Sequence, residues 1–177
     1  GRPVWRTRAN ALTALRLAAA PACAFAIAWS AHGAALALFA LAVATDLFDG
    51  RIARRYGEQS ALGGLFDHAT DATFASLGLF AVGLRGEVPL ALAPLVAAAF
   101  VQYVVDSRAV QGRALRASAL GRWNGIAYFV LLGVPVVRDG LAIGWPAPAL
   151  VRGLGWLLVA STLVSMLDRL FAARTDA

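Results

Sequence analysis

The chain has 177 residues, 60% of them hydrophobic, with a mean hydropathy of +0.69 and a formal net charge of +6. Soluble domains are about half apolar, so this composition excludes an ordinary water-soluble domain and predicts an all-α integral membrane protein. The positive charge comes only from arginines, which flank apolar segments instead of forming one basic face; this favours anionic lipid headgroups or phosphorylated substrates over nucleic acid.

Six apolar segments predict six transmembrane helices, and we expect them to form one domain over residues 1–177. The predicted spans cover approximately residues 11–29, 33–54, 62–84, 88–105, 123–137 and 149–171. Most approach the ~20 residues that a membrane-crossing helix needs. The fifth is expected to be short, because Pro135 and the charged neighbours Arg138 and Asp139 interrupt its apolar run.

The placement of the arginines predicts the orientation of these helices. If the N-terminus is cytoplasmic, the outside segments hold only Arg85, Arg138 and Arg152, and most other arginines lie in inside segments. The positive-inside rule then predicts that both termini face the cytoplasm. We therefore expect a multi-pass protein of the cell (inner) membrane.

The densest charge in the chain lies where the second and third spans meet at the cytoplasmic side. Asp46 and Asp49 are three residues apart on one helix, and Asp67 and Asp71 are four apart on the next, so each pair lies on one helix face. The two helices are antiparallel neighbours, because a short turn joins them. We therefore expect the four carboxylates to meet at similar depth.

That turn has recognisable end signals. Gly57 is the predicted stop of the second helix, and Ser60 is the predicted N-cap of the third.

Four carboxylates at one depth repel each other in a low dielectric, so positive charge must lie among them. One solution is ion pairing with Arg51, Arg54 and Arg55; the other is a divalent cation, or two, held by hard oxygen ligands. The sequence favours metal, because Arg51 is rotated by about 200° from Asp49 and Arg54 by about 140°. Without a nearby thiolate, Mg²⁺ or Mn²⁺ is expected, with His68 as a neighbour and not a ligand.

Small residues occur at the level of the aspartates, namely Gly50, Ala53, Gly63 and Gly64. They fit close helix packing in lipid, and they equally fit a space for a ligand that approaches the backbone.

The spacing of these residues resembles the signature of the CDP-alcohol phosphotransferase (CDP-alcohol phosphatidyltransferase) family. It reads Asp46-x-x-Asp49-Gly50-x-x-Ala53-Arg54, then eight residues, Gly63, three residues, Asp67, three residues and Asp71. The match spans 26 residues without a gap or substitution. The six-span layout extends the resemblance loosely over the whole chain.

The resemblance implies a six-helix membrane fold, a reaction and residue roles. The reaction moves a phosphatidyl group from CDP-diacylglycerol to an alcohol hydroxyl, and CMP leaves. Divalent metal, expected as two Mg²⁺ or Mn²⁺ ions, would be held by Asp46, Asp49, Asp67 and Asp71. Asp71 would also be the catalytic base. The residues implied at the CDP site are Asp46, Gly50, Ala53, Arg54 and Gly63. A homodimer is implied as well.

The first helix carries a further resemblance. Asn10, Thr13 and Arg16 share one of its faces near the inner surface and resemble the start of phosphatidylglycerophosphate synthase-like members of the family. Arg16 equally fits an arginine that snorkels to lipid headgroups.

The acceptor alcohol is left open. In the segment before the fifth span, Arg113, Arg116 and Arg122 fit a phosphate clamp or a positive-inside anchor. A clamp favours glycerol 3-phosphate or inositol phosphate. The neighbours of two aspartates, His68 and Ala72, depart from the phosphatidylglycerophosphate synthase pattern and resemble the choline and ethanolamine phosphotransferase branch, which uses diacylglycerol as acceptor.

Two other classes remain as alternatives. Intramembrane carboxylates also occur in cation transporters and channels, but here they lie near one interface and not at the midplane. A catalytically silent scaffold would not need the complete set of aspartates.

Overall fold

The computed structural model describes residues 7–57, 60–107 and 118–175. These residues form six α-helices and no strand: α1 Arg8–Ala28, α2 His32–Tyr56, α3 Ala61–Leu84, α4 Leu92–Asp106, α5 Ala119–Gly140 and α6 Pro148–Thr175. The predicted all-α class and six-helix order are confirmed.

Helix ends follow from local side-chain chemistry. The Ser60 hydroxyl accepts a 3.0 Å hydrogen bond from the Gly63 backbone N–H at the start of α3, and Ser118 does the same for Gly121 at the start of α5. Gly57 ends α2 with a φ of +63°, a left-handed conformation that glycine adopts without a Cβ penalty. The predicted stop at Gly57 and cap at Ser60 are therefore confirmed.

Length and composition identify membrane-crossing helices among the described residues. Four are long and apolar enough on their own, namely α1, α2, α5 and residues Pro148–Phe171 of α6, and α4 is a shorter apolar helix. The protein is therefore an all-helical membrane protein. That α3 and α4 also cross the bilayer stays a prediction.

The fifth helix corrects one expectation. Instead of ending near residue 137, α5 contains Pro135 and continues to Gly140. Arg138 is buried and its guanidinium donates to Glu87 at 2.7 Å and to Asp139 at 2.7 Å, while Arg85 lies 3.0 Å from Asp139. The charges that were expected to shorten the helix are thus paired with each other at the end of the bundle opposite the four aspartates.

Helices approach closely where one of them carries glycine. A Cβ on Gly133 of α5 would lie 2.8 Å from the Phe39 ring of α2, and one on Gly78 of α3 would lie 2.6 Å from Leu132 of α5. Small residues allow such contacts in lipid, where packing replaces the hydrophobic drive. On the other side of the bundle α1 packs against both α2 and α3, so its polar face is directed at the aspartates.

Candidate active site

The four aspartates meet between α2 and α3, as the spacing predicts. At about 1.5 Å per residue, Asp49 lies about 10 Å from the end of α2 and Asp67 about 9 Å from the start of α3. Their exposure differs: the Asp49 side chain is 7% exposed, whereas that of Asp46 is 48% exposed. The cluster therefore has a closed side at Asp49 and an open side at Asp46.

A single guanidinium from α1 contacts all four carboxylates. The Arg16 side chain is fully buried; its Nη1 lies 2.5 Å from Asp46 and 2.8 Å from Asp71, and its Nη2 lies 2.8 Å from Asp49 and also pairs with Asp67. Thr13, one turn earlier, donates from its hydroxyl to the same Asp49 oxygen at 3.2 Å. The face of α1 that carries Thr13 and Arg16 thus closes the cluster.

This arrangement corrects two interpretations of the sequence. The cation among the aspartates is Arg16. The ion-pairing alternative considered from the sequence had instead named Arg51, Arg54 and Arg55, at the end of α2. Arg16 also does not snorkel to headgroups, because it is fully buried at about 12 Å from the start of α1. The sequence shows the polar face of α1, but not that this face packs onto the α2–α3 pair.

The donor set of the cluster fits a hard divalent cation. Two groups of side chains each bring three ligand atoms within 4.8 Å of one another: Asp46, Asp49 and Asp67, and Asp67, His68 and Asp71. Asp67 belongs to both groups. The second group also contains His68, which the sequence placed as a neighbour of the site and not as a ligand. Among the described residues, the guanidinium of Arg16 is the one paired with these carboxylates, so four acids share one positive partner there.

The small residues of the signature lie beside the cluster on two helices. The Arg54 guanidinium lies over Gly50, 3.4 Å from where a Cβ would be, which is an ordinary contact distance. A Cβ on Gly63 would lie 3.0 Å from the Ser60 hydroxyl and 3.5 Å from the Asn10 side chain. Ala53 lies one residue before Arg54 and is half-buried. Gly64 has open space around it.

A cavity of about 530 Å³ borders the other side of the cluster. Its polar lining includes Asp46, His68, Asp71, Tyr103, Arg122 and Arg169. Apolar residues of α4 and α5, among them Val96, Phe100 and Phe129, form much of the remaining wall. The cavity therefore joins two carboxylates to an apolar space. Gly50, Ala53, Arg54 and Gly63 do not line it.

Two arginines face this cavity from α5 and α6. Arg122 is the predicted acceptor residue that the structure describes, whereas Arg113 and Arg116 lie outside the described residues. Arg169 was not predicted; its guanidinium lies 5.0 Å from the Tyr103 ring centre and 3.4 Å from Asp106. In the sequence, its position near the C-terminus of the sixth span indicated only a positive charge on the cytoplasmic side, and not a place in the site.

Comparison with known proteins identifies the relatives of the chain. Residues 6–167 match the CDP-alcohol phosphatidyltransferase family. A CDP-diacylglycerol–glycerol-3-phosphate 3-phosphatidyltransferase of Cereibacter sphaeroides is 32% identical over 142 residues, which is 75% of this chain and 64% of that protein. A probable phosphatidylglycerophosphate synthase of Mycobacterium tuberculosis is 36% identical over 87 residues, 46% of this chain and 42% of that protein.

A third relative is a fusion protein of Schizosaccharomyces pombe, a cardiolipin synthase (CMP-forming) joined to a mitochondrial hydrolase, 28% identical over 151 residues. That match covers 75% of this chain and 25% of the fusion protein. No solved structure matches the chain.

Proposed function

The chain belongs to the CDP-alcohol phosphatidyltransferase family, and on that premise we propose that it is a metal-dependent phosphatidyltransferase of phospholipid synthesis. It transfers the phosphatidyl group of CDP-diacylglycerol to the hydroxyl of an alcohol and releases CMP. The favoured acceptor is a phosphorylated alcohol, glycerol 3-phosphate or inositol phosphate.

The observation that carries this proposal is the convergence of four carboxylates, from two adjoining helices, on one point at the edge of an amphipathic cavity. Mg²⁺ or Mn²⁺ bound there, with two ions expected, would neutralise the diphosphate and stabilise charge on departing CMP. Asp46, Asp49, Asp67 and Asp71 are the residues that would hold it. A passive helix contact would not need four acids at one depth.

Asp71 is the residue to which we assign the role of base. Its side chain is 25% exposed and lines the cavity. In the proposed step it takes the proton of the acceptor hydroxyl. The hydroxyl oxygen then forms a bond to the phosphorus of the phosphatidyl group, and the bond from that phosphorus to the oxygen of CMP breaks. A carboxylate in this position assists because an alcohol is a weak nucleophile at neutral pH.

The two substrates are assigned to different sides of the aspartates. The nucleotide lies beside Gly50, Ala53, Arg54 and Gly63, with Asp46 reaching it from the open side of the cluster. The cavity receives the acceptor and the apolar part of the lipid. Arg122 and Arg169 lie on its wall, and two guanidinium groups suit a phosphate on the acceptor. The names of the relatives from Cereibacter and Mycobacterium agree with glycerol 3-phosphate.

An acceptor panel tests this function. Purified protein with Mg²⁺ receives either CDP-diacylglycerol with glycerol 3-phosphate, inositol phosphate, serine, inositol or choline in turn, or CDP-choline with a diacylglycerol, and CMP release is measured. We expect release with a phosphorylated alcohol and its loss on chelation. Release only with diacylglycerol and CDP-choline would instead support the choline and ethanolamine branch. No release with any pair would contradict the enzyme assignment.

The same assay tests the proposed cytoplasmic position of the site. Sealed inside-out vesicles should convert added glycerol 3-phosphate, which does not cross lipid, and right-side-out vesicles should not. The opposite pattern would reverse the orientation. The expected homodimer stays a prediction.

A further inference from the structure

The guanidinium of Arg16 contacts all four carboxylates that would hold a cation at the aspartate cluster. Nη1 contacts one oxygen each of Asp46 and Asp71, and Nη2 contacts one oxygen each of Asp49 and Asp67. A magnesium ion that bound any of these oxygens would need it at about 2.0–2.1 Å, in the space that the guanidinium nitrogen beside that oxygen fills. Guanidinium and metal therefore compete for the same ligands.

Arg16 is also incompletely satisfied where it lies. Its Nε is buried and has no hydrogen-bond partner among the described residues. The Asp71 oxygen that it pairs with lies at 2.8 Å but outside hydrogen-bonding geometry, so it too is unsatisfied among those residues. A purely structural arginine normally has its donors paired, because a buried donor without a partner loses its hydrogen bonds to water and gains none in return. A divalent cation that binds the same carboxylates can therefore displace the incompletely paired guanidinium.

We propose that Arg16 is an exchangeable internal counter-ion: it holds the four aspartates together in the metal-free protein and gives up their oxygens when a divalent cation binds. Four adjacent carboxylates without any cation would destabilise the helix contact, and Arg16 prevents this before the metal arrives. The consequence is that Arg16 weakens divalent binding while it stabilises the empty site. This inference rests on the proposed metal-dependent function.

The test is the affinity for Mn²⁺, measured on purified protein from the electron paramagnetic resonance signal of the free ion. In Arg16→Gln the amide is neutral, so the dissociation constant should fall at least about tenfold, since one positive charge close to the ion is removed. The melting temperature of the metal-free variant should fall, and added Mn²⁺ should raise it by more than in the wild type. An arginine with a merely structural role predicts the reverse for affinity, because loosened ligands bind less tightly.

Two further variants complete the design. Arg152→Gln also removes one arginine charge, but at the opposite end of the bundle, where Arg152 donates to the Gly86 carbonyl at 2.8 Å; its Mn²⁺ affinity should equal that of the wild type. If Arg16→Gln does not fold, the Mn²⁺ affinity of Arg16→Lys is measured in its place. One ammonium nitrogen contacts fewer carboxylates than two guanidinium nitrogens, so Mn²⁺ should bind more tightly than in the wild type, by a smaller factor.

The outcomes separate this inference from the proposed function. Wild-type protein that binds no Mn²⁺ would overturn both. Wild-type protein that binds Mn²⁺, together with equal or weaker binding in the Arg16 variants, would overturn the exchange alone and leave the metal site standing.

Discussion

Asp71 lies at the boundary between the aspartate cluster and the cavity. It contacts Arg16 on one side and lines the cavity on the other, with 25% of its side chain exposed. Asp49, by contrast, is buried against Thr13 and Arg16. The same residue type therefore has two environments within one cluster. Asp46 also lines the cavity, but we assign it to the nucleotide side, so the proposed base is Asp71.

Asp71→Asn tests that difference. The amide keeps the size of the side chain but cannot take a proton, so kcat should fall by about 10²–10⁴-fold, the usual contribution of a positioned base. KM for CDP-diacylglycerol should change much less than kcat, because Asp46, Asp49 and Asp67 remain as metal ligands. Asp168→Asn, at an exposed position of α6, is the matched control and should keep the wild-type kcat. Turnover of Asp71→Asn near the wild-type rate would exclude Asp71 as the base.

The sequence predicted that the four aspartates converge, but it did not predict which side chain pairs with them. The spacing of the four aspartates fixes their helix faces, because a helix repeats every 3.6 residues. The partner is Arg16, thirty residues before Asp46 along the chain. Helical periodicity places Arg16 on a face with Thr13 and Asn10, but which helix that face meets is decided by tertiary packing.

Among the helices, α6 is held against the α3–α4 connection by a glycine. A Cβ on Gly155 would lie 2.6 Å from the Pro89 ring and 3.4 Å from Val88. Two residues earlier, Gly153 has nothing within 4 Å of the same position and is exposed. The two glycines therefore form a matched pair on one helix.

Gly155→Ala should destabilise the protein by about 1–3 kcal/mol, because the new methyl group meets a ring that cannot rotate away. Gly153→Ala should be neutral or stabilise by up to about 1 kcal/mol, since alanine favours the helix. Thermal unfolding in detergent measures both. Equal melting temperatures for the two variants would mean that α6 does not pack on Pro89 as described.

Helix positions were largely predictable because apolar run length determines them in a membrane protein. The exception is α5, where Pro135 and two charges suggested an early end. Arg138 continues the helix because Glu87 and Asp139 neutralise it. That pairing involves a residue 51 positions away, which a local pattern cannot reveal.

The whole molecule has ionic clusters at its two ends that differ in kind. At one end, Arg138 and Arg85 balance Glu87 and Asp139. At the other, within the part of the chain that the structure describes, Arg16 alone pairs with four aspartates. The first cluster is balanced within itself and fits a structural role. The second, counted over the same described residues, has more acids than paired arginines and lies beside a cavity. The charge imbalance, more than the number of acids, distinguishes the candidate active site.

The cavity and its second arginine could not be predicted from the sequence. Arg122 was a candidate, but its meeting with Arg169 and Tyr103 depends on how α4, α5 and α6 pack. The family signature, by contrast, lies within one short segment of the chain, so its residue spacing alone makes it recognisable.

The central claim is that acids from α2 and α3 together bind a divalent cation. The most direct measurement is Mn²⁺ binding to purified wild-type protein and to Asp67→Asn, because Asp67 belongs to both candidate ligand groups. We predict saturable binding that is at least about tenfold weaker in Asp67→Asn, after loss of a shared charged ligand, and unchanged in Asp168→Asn. Absence of saturable binding in the wild type, or equal affinity in wild type and Asp67→Asn, would contradict the account.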